Sequence, residues 1–249
     1  MASLSNKNIV VIGGSRGTGL AIVRALHAEG AHVLAVARGK QDLDALSRGL
    51  PGVETLALDA TAADAPARVF AALRPDILVI AGGAKRTGAP LHELDWEDFS
   101  EVWDTDVKAS FLFCKDALRR PLAPGSMVIL ISSGAALGGS PISGGYAGAK
   151  RMQMFMANYA QKESDRLQLG LRFLAVAPMR PMPDTDGGKA AVRGYAKYLG
   201  ISPEEFVKRI DTPQTVEDVA RAVVELVSQP KARTGNLFGV SAKGLEAVS

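Results

Sequence analysis

The chain has 249 residues, 47% of them hydrophobic and 22% charged, an ordinary balance for a globule able to bury a sizeable core. A formal net charge of +3 with no basic run argues against a nucleic-acid partner, and apolar runs such as 128–131 are strand-length, far short of a membrane span. The single cysteine, Cys114, cannot close an internal disulfide and reads as a small buried hydrophobe; with no signal-peptide core or lipidation signature in MASLSNKN, a reducing cytoplasm is the expected location.

Strand-length apolar runs are predicted at 9–12, 32–37, 54–58, 77–80, 127–132, 171–176 and 237–240, with helical patterns at 17–29, 62–73, 96–119, 146–166 and 216–229. That alternation means βαβ units around a mostly parallel sheet, and the continuous hydrophobicity suits strands covered on both faces. No repeat or low-complexity tract interrupts it, so one domain over 1–249 is expected. The stretch 180–212 departs from the rhythm: Pro181, Pro183, Gly187 and Gly188 precede renewed helical character. Within it Ser202, Pro203 and Glu205 predict a capped helix start with a capping box. An insertion there would form a lid over the carboxyl edge of the sheet, where open α/β sheets bind ligands.

After the first predicted strand the chain reads Gly13, Gly14, Ser15, Arg16, Gly17, Thr18, Gly19 and enters a helix. Glycines allow a tight turn and close approach of a pyrophosphate, whose charge meets the free amides of the helix N-terminus. The same residues fit a Gly-x-Ser-x-Gly nucleophile elbow around Ser15, but an elbow lies on a later strand, and His27, His32 and His92 have neither triad nor metal-ligand spacing. The fold class expected is thus α/β, a Rossmann-type doubly wound parallel sheet of about seven strands with helices on both faces. An acidic residue ending the second strand would bind the adenosine ribose and repel a 2′-phosphate; here Ala37 is followed by Arg38, and Arg16 adds a second guanidinium, so NADP(H) is the expected cofactor.

Tyr146 and Lys150, four residues apart on one predicted helix, share a face, and Ser133 lies thirteen positions upstream of the tyrosine. An ammonium beside the phenol favours tyrosinate and brings Tyr146 toward the range of an acid/base catalyst.

In order and spacing, the glycine turn, the second-strand ending, Ser133 and Tyr146-x-x-x-Lys150 resemble the short-chain dehydrogenase/reductase family, in its compact single-domain branch, over nearly the whole chain. The resemblance implies that Tyr146 gives a proton to a substrate carbonyl while nicotinamide delivers hydride, that Lys150 supports Tyr146 and binds the nicotinamide ribose, and that Ser133 orients the carbonyl. It implies cofactor contacts at Gly13, Ser15, Arg16, Gly17, Thr18, Gly19, Arg38, Asp59 (against adenine), Ala81, Gly82, Gly83 and Pro178. It also implies a small carbonyl or alcohol substrate and a homodimer or homotetramer. Ser132, adjacent to Ser133, points to the opposite face of its strand.

Four positions depart from the family pattern. Ile80, Ala81, Gly82 and Gly83 stand where Asn-Asn-Ala-Gly is usual, Met179 replaces the glycine after Pro178, and Ser241, Ala242, Lys243 and Gly244 replace a terminal Asp-Gly-Gly. Asp106 stands in place of the helix asparagine that holds a proton-relay water, and is therefore counted with the catalytic set. At about 8 Å from Lys150 and an effective dielectric near 20, its attraction to the lysine would be roughly 2 kcal/mol, and its charge would oppose the lysine's effect on Tyr146. These departures leave open a protein of the same fold that senses nucleotide with weakened chemistry.

Further features invite structural readings. Lys189, Arg193 and Lys197 form a basic stripe read as a solvated face. Met152, Met154 and Met156 suit packing of the tyrosine helix, Met179 and Met182 can line an adaptable pocket, and Trp96 and Trp103 are expected to anchor the helix before it.

Overall fold

The structure, a computed structural model, describes residues 4–83, 88–210, 214–230 and 232–248. Its strands are β1 (Asn8–Ile12), β2 (His32–Ala37), β3 (Glu54–Ala57), β4 (Ile77–Ile80), β5 (Met127–Ile131), β6 (Arg172–Pro178), β7 (Leu237–Ser241) and β8 (Gly244–Ala247). The helices are α1 (Gly17–Ala28), α2 (Lys40–Gly49), α3 (Ala65–Ala72), α4 (Trp96–Val102), α5 (Lys108–Arg119), α6 (Ala135–Gly138), α7 (Gly145–Arg166), α8 (Asp186–Leu199), α9 (Pro203–Lys208) and α10 (Val216–Ser228).

Successive side chains of a strand point to opposite faces, and both faces of this sheet are covered. Ile9, Val11, Ile129 and Val176 enter one apolar cluster with α1 and α10. Val10, Ile12, Val128 and Ala175 enter the other, with α3, α5 and α7. The strands lie in the order β3-β2-β1-β4-β5-β6-β7-β8. All neighbours are parallel except β8, which returns antiparallel to β7. The expected fold class is the one observed, a doubly wound α/β sheet. The order reverses direction between β1 and β4, the switch point at which such sheets open a crevice.

Four details differ from the expectation. The eighth strand is a short edge ribbon behind the turn at Gly244, whose φ of +109° suits glycine, so the Ser241–Gly244 departure is a hairpin corner. Helix α2 escapes a periodicity reading because only Leu43 and Leu46 are buried in an otherwise polar sequence. The long helix expected at 96–119 is broken into α4 and α5 by a π-helical turn at Trp103–Val107. At α9 the Ser202 hydroxyl accepts from Glu205 N–H at 3.1 Å, while the Glu205 carboxylate is engaged by Arg209 at 2.7 Å, so the cap forms with a different partner for the glutamate.

The insertion after β6 carries α8 and α9, with its last expected residues, 211 and 212, outside the described ones. Thr185 caps α8 by accepting from Gly188 N–H at 2.9 Å, and Gly200 ends it in the left-handed region. Gly188, Ala191, Val192 and Ala196 form its buried side; Lys189, Arg193 and Lys197 are exposed, and Lys197 pairs with Glu93 at 3.1 Å. The basic stripe is a solvated face. Among the described residues no helix is long and apolar enough to cross a membrane.

Candidate active site

The glycine turn is built by close backbone packing. Gly13 N–H donates to Val36 O at 2.7 Å, which brings the turn against the end of β2 and hence beside Ala37 and Arg38. A Cβ on Gly13 would meet Gly82 Cα at 2.5 Å, and one on Gly19 would meet Gly13 O at 2.1 Å, so these two glycines let three chain segments touch. Gly17, with φ +51°, and Gly82 have open space where a Cβ would be. Helix α1 begins there with no side-chain cap and no acidic residue in its first turn. Its amides and positive dipole end border the open space beside Gly17, a fit for a pyrophosphate.

Charged groups stand around this end. Arg38 is exposed after β2, and Arg16 Nη1 lies 3.8 Å from Asp186 Oδ2 at the start of α8. Asp59, after β3, accepts from the Thr61 N–H at 2.9 Å and its hydroxyl at 2.8 Å. Those hydrogen bonds hold its carboxyl below the usual range; burial opposes them more weakly, and the nearby Arg38 and Lys108 add smaller lowering effects.

The other half of the crevice lies beyond β4 and β5. Strand β5 ends at Ile131; Ser132 is buried, with its hydroxyl donating to Lys150 O at 2.8 Å, whereas Ser133 is half-buried and accepts from Ala135 N–H at 3.2 Å. The two serines thus face apart, as strand alternation requires. Gly134 N–H donates to Pro178 O at 2.7 Å, bringing the end of β6 beside Ser133, and Met179, with N–H donating to Val240 O at 2.9 Å, packs close to Gly239.

Helix α7 opens with Tyr146 in its first turn and Lys150 one turn on. Two contacts with α4 and the π turn fix that opening. A Cβ on Gly145 would overlap Phe99 O at 1.9 Å, and the Trp103 indole N–H donates to Gly145 O at 3.2 Å. Trp103 therefore anchors the tyrosine helix, while Trp96 is 70% exposed and only stacks on Phe99. Met154 and Met156 are core residues and Met152 packs against them.

Lys150 is buried under Tyr146, its ammonium 5.8 Å from the phenol ring centroid. It donates to Ile131 O at 3.1 Å and pairs with Asp106 Oδ2 at 2.9 Å. Asp106 is thus in direct contact with the lysine, much nearer than the 8 Å considered from sequence. The π turn brings it there: one extra residue per turn rotates Asp106 inward, and the Thr105 hydroxyl, donating to Glu101 O at 2.8 Å, favours such a distortion.

Two positioning contacts carry no signal in the sequence. Gln214 is buried and its Oε1 accepts from Arg180 N–H at 3.1 Å, bracing the segment after Pro178. Tyr195 of α8 donates to Ser140 Oγ at 2.8 Å, closing α8 onto the approach to α7 over a hollow of about 10 Å³ lined in part by Ile142 and Ser143.

The family profile described as short chain dehydrogenase matches residues 7–193. The chain belongs to the short-chain dehydrogenase family. Among its relatives, an L-xylulose reductase of Bos taurus is 30% identical over 52% of this chain and 53% of its own length. A carbonyl reductase [NADPH] 2 of Sus scrofa is 29% identical over 51% of this chain and 53% of its own. A 3-oxoacyl-[acyl-carrier-protein] reductase FabG of Rickettsia felis is 29% identical over 97% and 98%. The match to the xylulose and porcine carbonyl reductases thus spans about half the length of those relatives. The members of this family are nicotinamide-dependent oxidoreductases.

Proposed function

We propose that this short-chain dehydrogenase is an NADP(H)-dependent oxidoreductase that interconverts a small ketone or aldehyde with the corresponding alcohol, Tyr146 acting as acid/base. The observation that carries this reading is the buried Lys150 ammonium under the Tyr146 ring, fixed by Ile131 O at the end of β5 beside Ser133. When bound, the nicotinamide supplies the hydride. Tyr146 transfers the proton at the substrate oxygen, Ser133 orients that oxygen, and Lys150 holds the ribose. Arg16 and Arg38 at the adenosine end favour a 2′-phosphate, and the name of the porcine relative, carbonyl reductase [NADPH], agrees with that choice. The 180–210 segment serves as the lid.

The exposed aromatic face of α5 and α7, with Phe111, Phe155 and Tyr159 each at least 40% exposed, is proposed as the contact with a second copy; sedimentation velocity of Phe155→Glu, with loss of the dimer expected, tests it. The function itself is tested by NADPH oxidation across aldehydes, ketoses, 3-oxoacyl thioesters and cyclic ketones. Turnover in one class is expected. Tight NADPH binding with none would contradict the reading.

A further inference from the structure

Asp106 and Lys150 meet at 2.9 Å with side chains only 1% and 6% exposed. At that depth bulk salt does little to screen either charge. The second carboxylate oxygen lies 3.1 Å from the Thr105 hydroxyl oxygen. A Cβ on Gly83 would lie 3.8 Å from Asp106 Oδ2, while one on Gly82 would meet nothing, so the carboxylate abuts the glycine backbone that floors the crevice.

A dinucleotide lying across the switch between β1 and β4 has its pyrophosphate at α1 and its two ends over opposite halves of the sheet. Arg38 and Asp59 mark the adenosine half on β2 and β3; the half over β4 and β5 carries Asp106 and Lys150. A nicotinamide ring in that half is neutral when reduced and carries one positive charge when oxidised. On the nicotinamide reading above, we propose that Asp106 is a positioning residue that cancels the Lys150 charge, so that the site accepts the cationic oxidised ring and thereby favours carbonyl reduction. In that direction the carbonyl carbon forms a C–H bond with the electron pair of the broken nicotinamide C4–H bond, and the carbonyl oxygen takes the Tyr146 proton. The carbonyl is reduced by two electrons and the ring oxidised by two. With a neutral side chain at 106, the lysine ammonium would oppose the positive charge this step creates.

Dissociation constants of NADP⁺ and NADPH, measured by calorimetry for the wild type, Asp106→Asn, Lys150→Met and the double variant, test this without turnover. The quantity read is the ratio of the two constants, in which losses common to both forms cancel. Asp106→Asn is expected to shift the ratio about tenfold toward NADPH. Lys150→Met is expected to shift it the opposite way, and the double variant to return to within about threefold of wild type. Should Asp106→Asn fail to fold, the same ratio measured for Asp106→Ser decides, with the shift toward NADPH expected and an unmoved ratio overturning the role. Ratios unmoved by the single variants, with both forms still bound, overturn the charge-compensation role and leave the nicotinamide reading standing. A wild type that binds neither form overturns both.

Discussion

The hydroxyl of Ser132 donates to the main-chain carbonyl of Lys150 at 2.8 Å, tying the end of β5 to the helix that carries the tyrosine. Its neighbour Ser133 is half-buried and accepts from the Ala135 N–H at 3.2 Å. Adjacent serines of the same chemistry therefore have separable tasks. Ser132→Ala is expected to lower stability by about 0.5–1.5 kcal/mol, the net worth of a buried hydrogen bond, and Tm by roughly 1–6 °C. Ser133→Ala should leave Tm nearly unchanged and depress kcat. Thermal melts and steady-state kinetics on both variants check the contrast, and the reverse pattern would mean that the two roles are exchanged.

Arg38→Asp is expected to weaken NADPH binding by about ten- to a hundredfold, the loss of a charge-assisted contact, with a much smaller effect on NADH. The new carboxylate would repel the 2′-phosphate and also stand near Asp59, whose carboxyl the native arginine helps keep ionised. Fluorescence titration with both cofactors is the measurement; equal affinities before and after the change would contradict the assignment to NADP(H).

Cys114 is buried within the α3, α5 and α7 cluster, and desolvation pushes its thiol up to about 12. Native protein at pH 8 should therefore resist a thiol reagent over hours and react at once when unfolded. The sign for stability follows from the same shift. The fold favours the neutral thiol, so this contribution is complete below pH 9 and is lost progressively as pH rises toward about 12. Rapid labelling of native protein at pH 8 would show that the cluster opens.

Much of this fold was legible because its signals are local. The glycine turn, the apolar strands and the Tyr146–Lys150 spacing each follow from one stretch of chain. What was hidden depends on distant segments. The direct contact between Asp106 and Lys150 arises from the π turn, and that turn is stabilised by Trp103 reaching a carbonyl on another helix. Strand β8 was missed because four residues with one buried leucine carry little pattern, and Gln214 because a buried glutamine is defined only by what it braces. The glycines were visible as a group, yet their division into those that admit neighbouring backbone and those that border the crevice needed the packing of β4 against the turn.

The most direct test of the proposed chemistry is Tyr146→Phe, which removes the phenolic oxygen and keeps the ring over Lys150. NADPH affinity, measured by titration, should stay within about threefold of wild type, while turnover of an accepted carbonyl falls by about 10²- to 10⁴-fold, the contribution of a positioned acid/base group. Turnover retained at the wild-type rate, with NADPH still bound, would contradict Tyr146 as the proton donor and with it the account of this site.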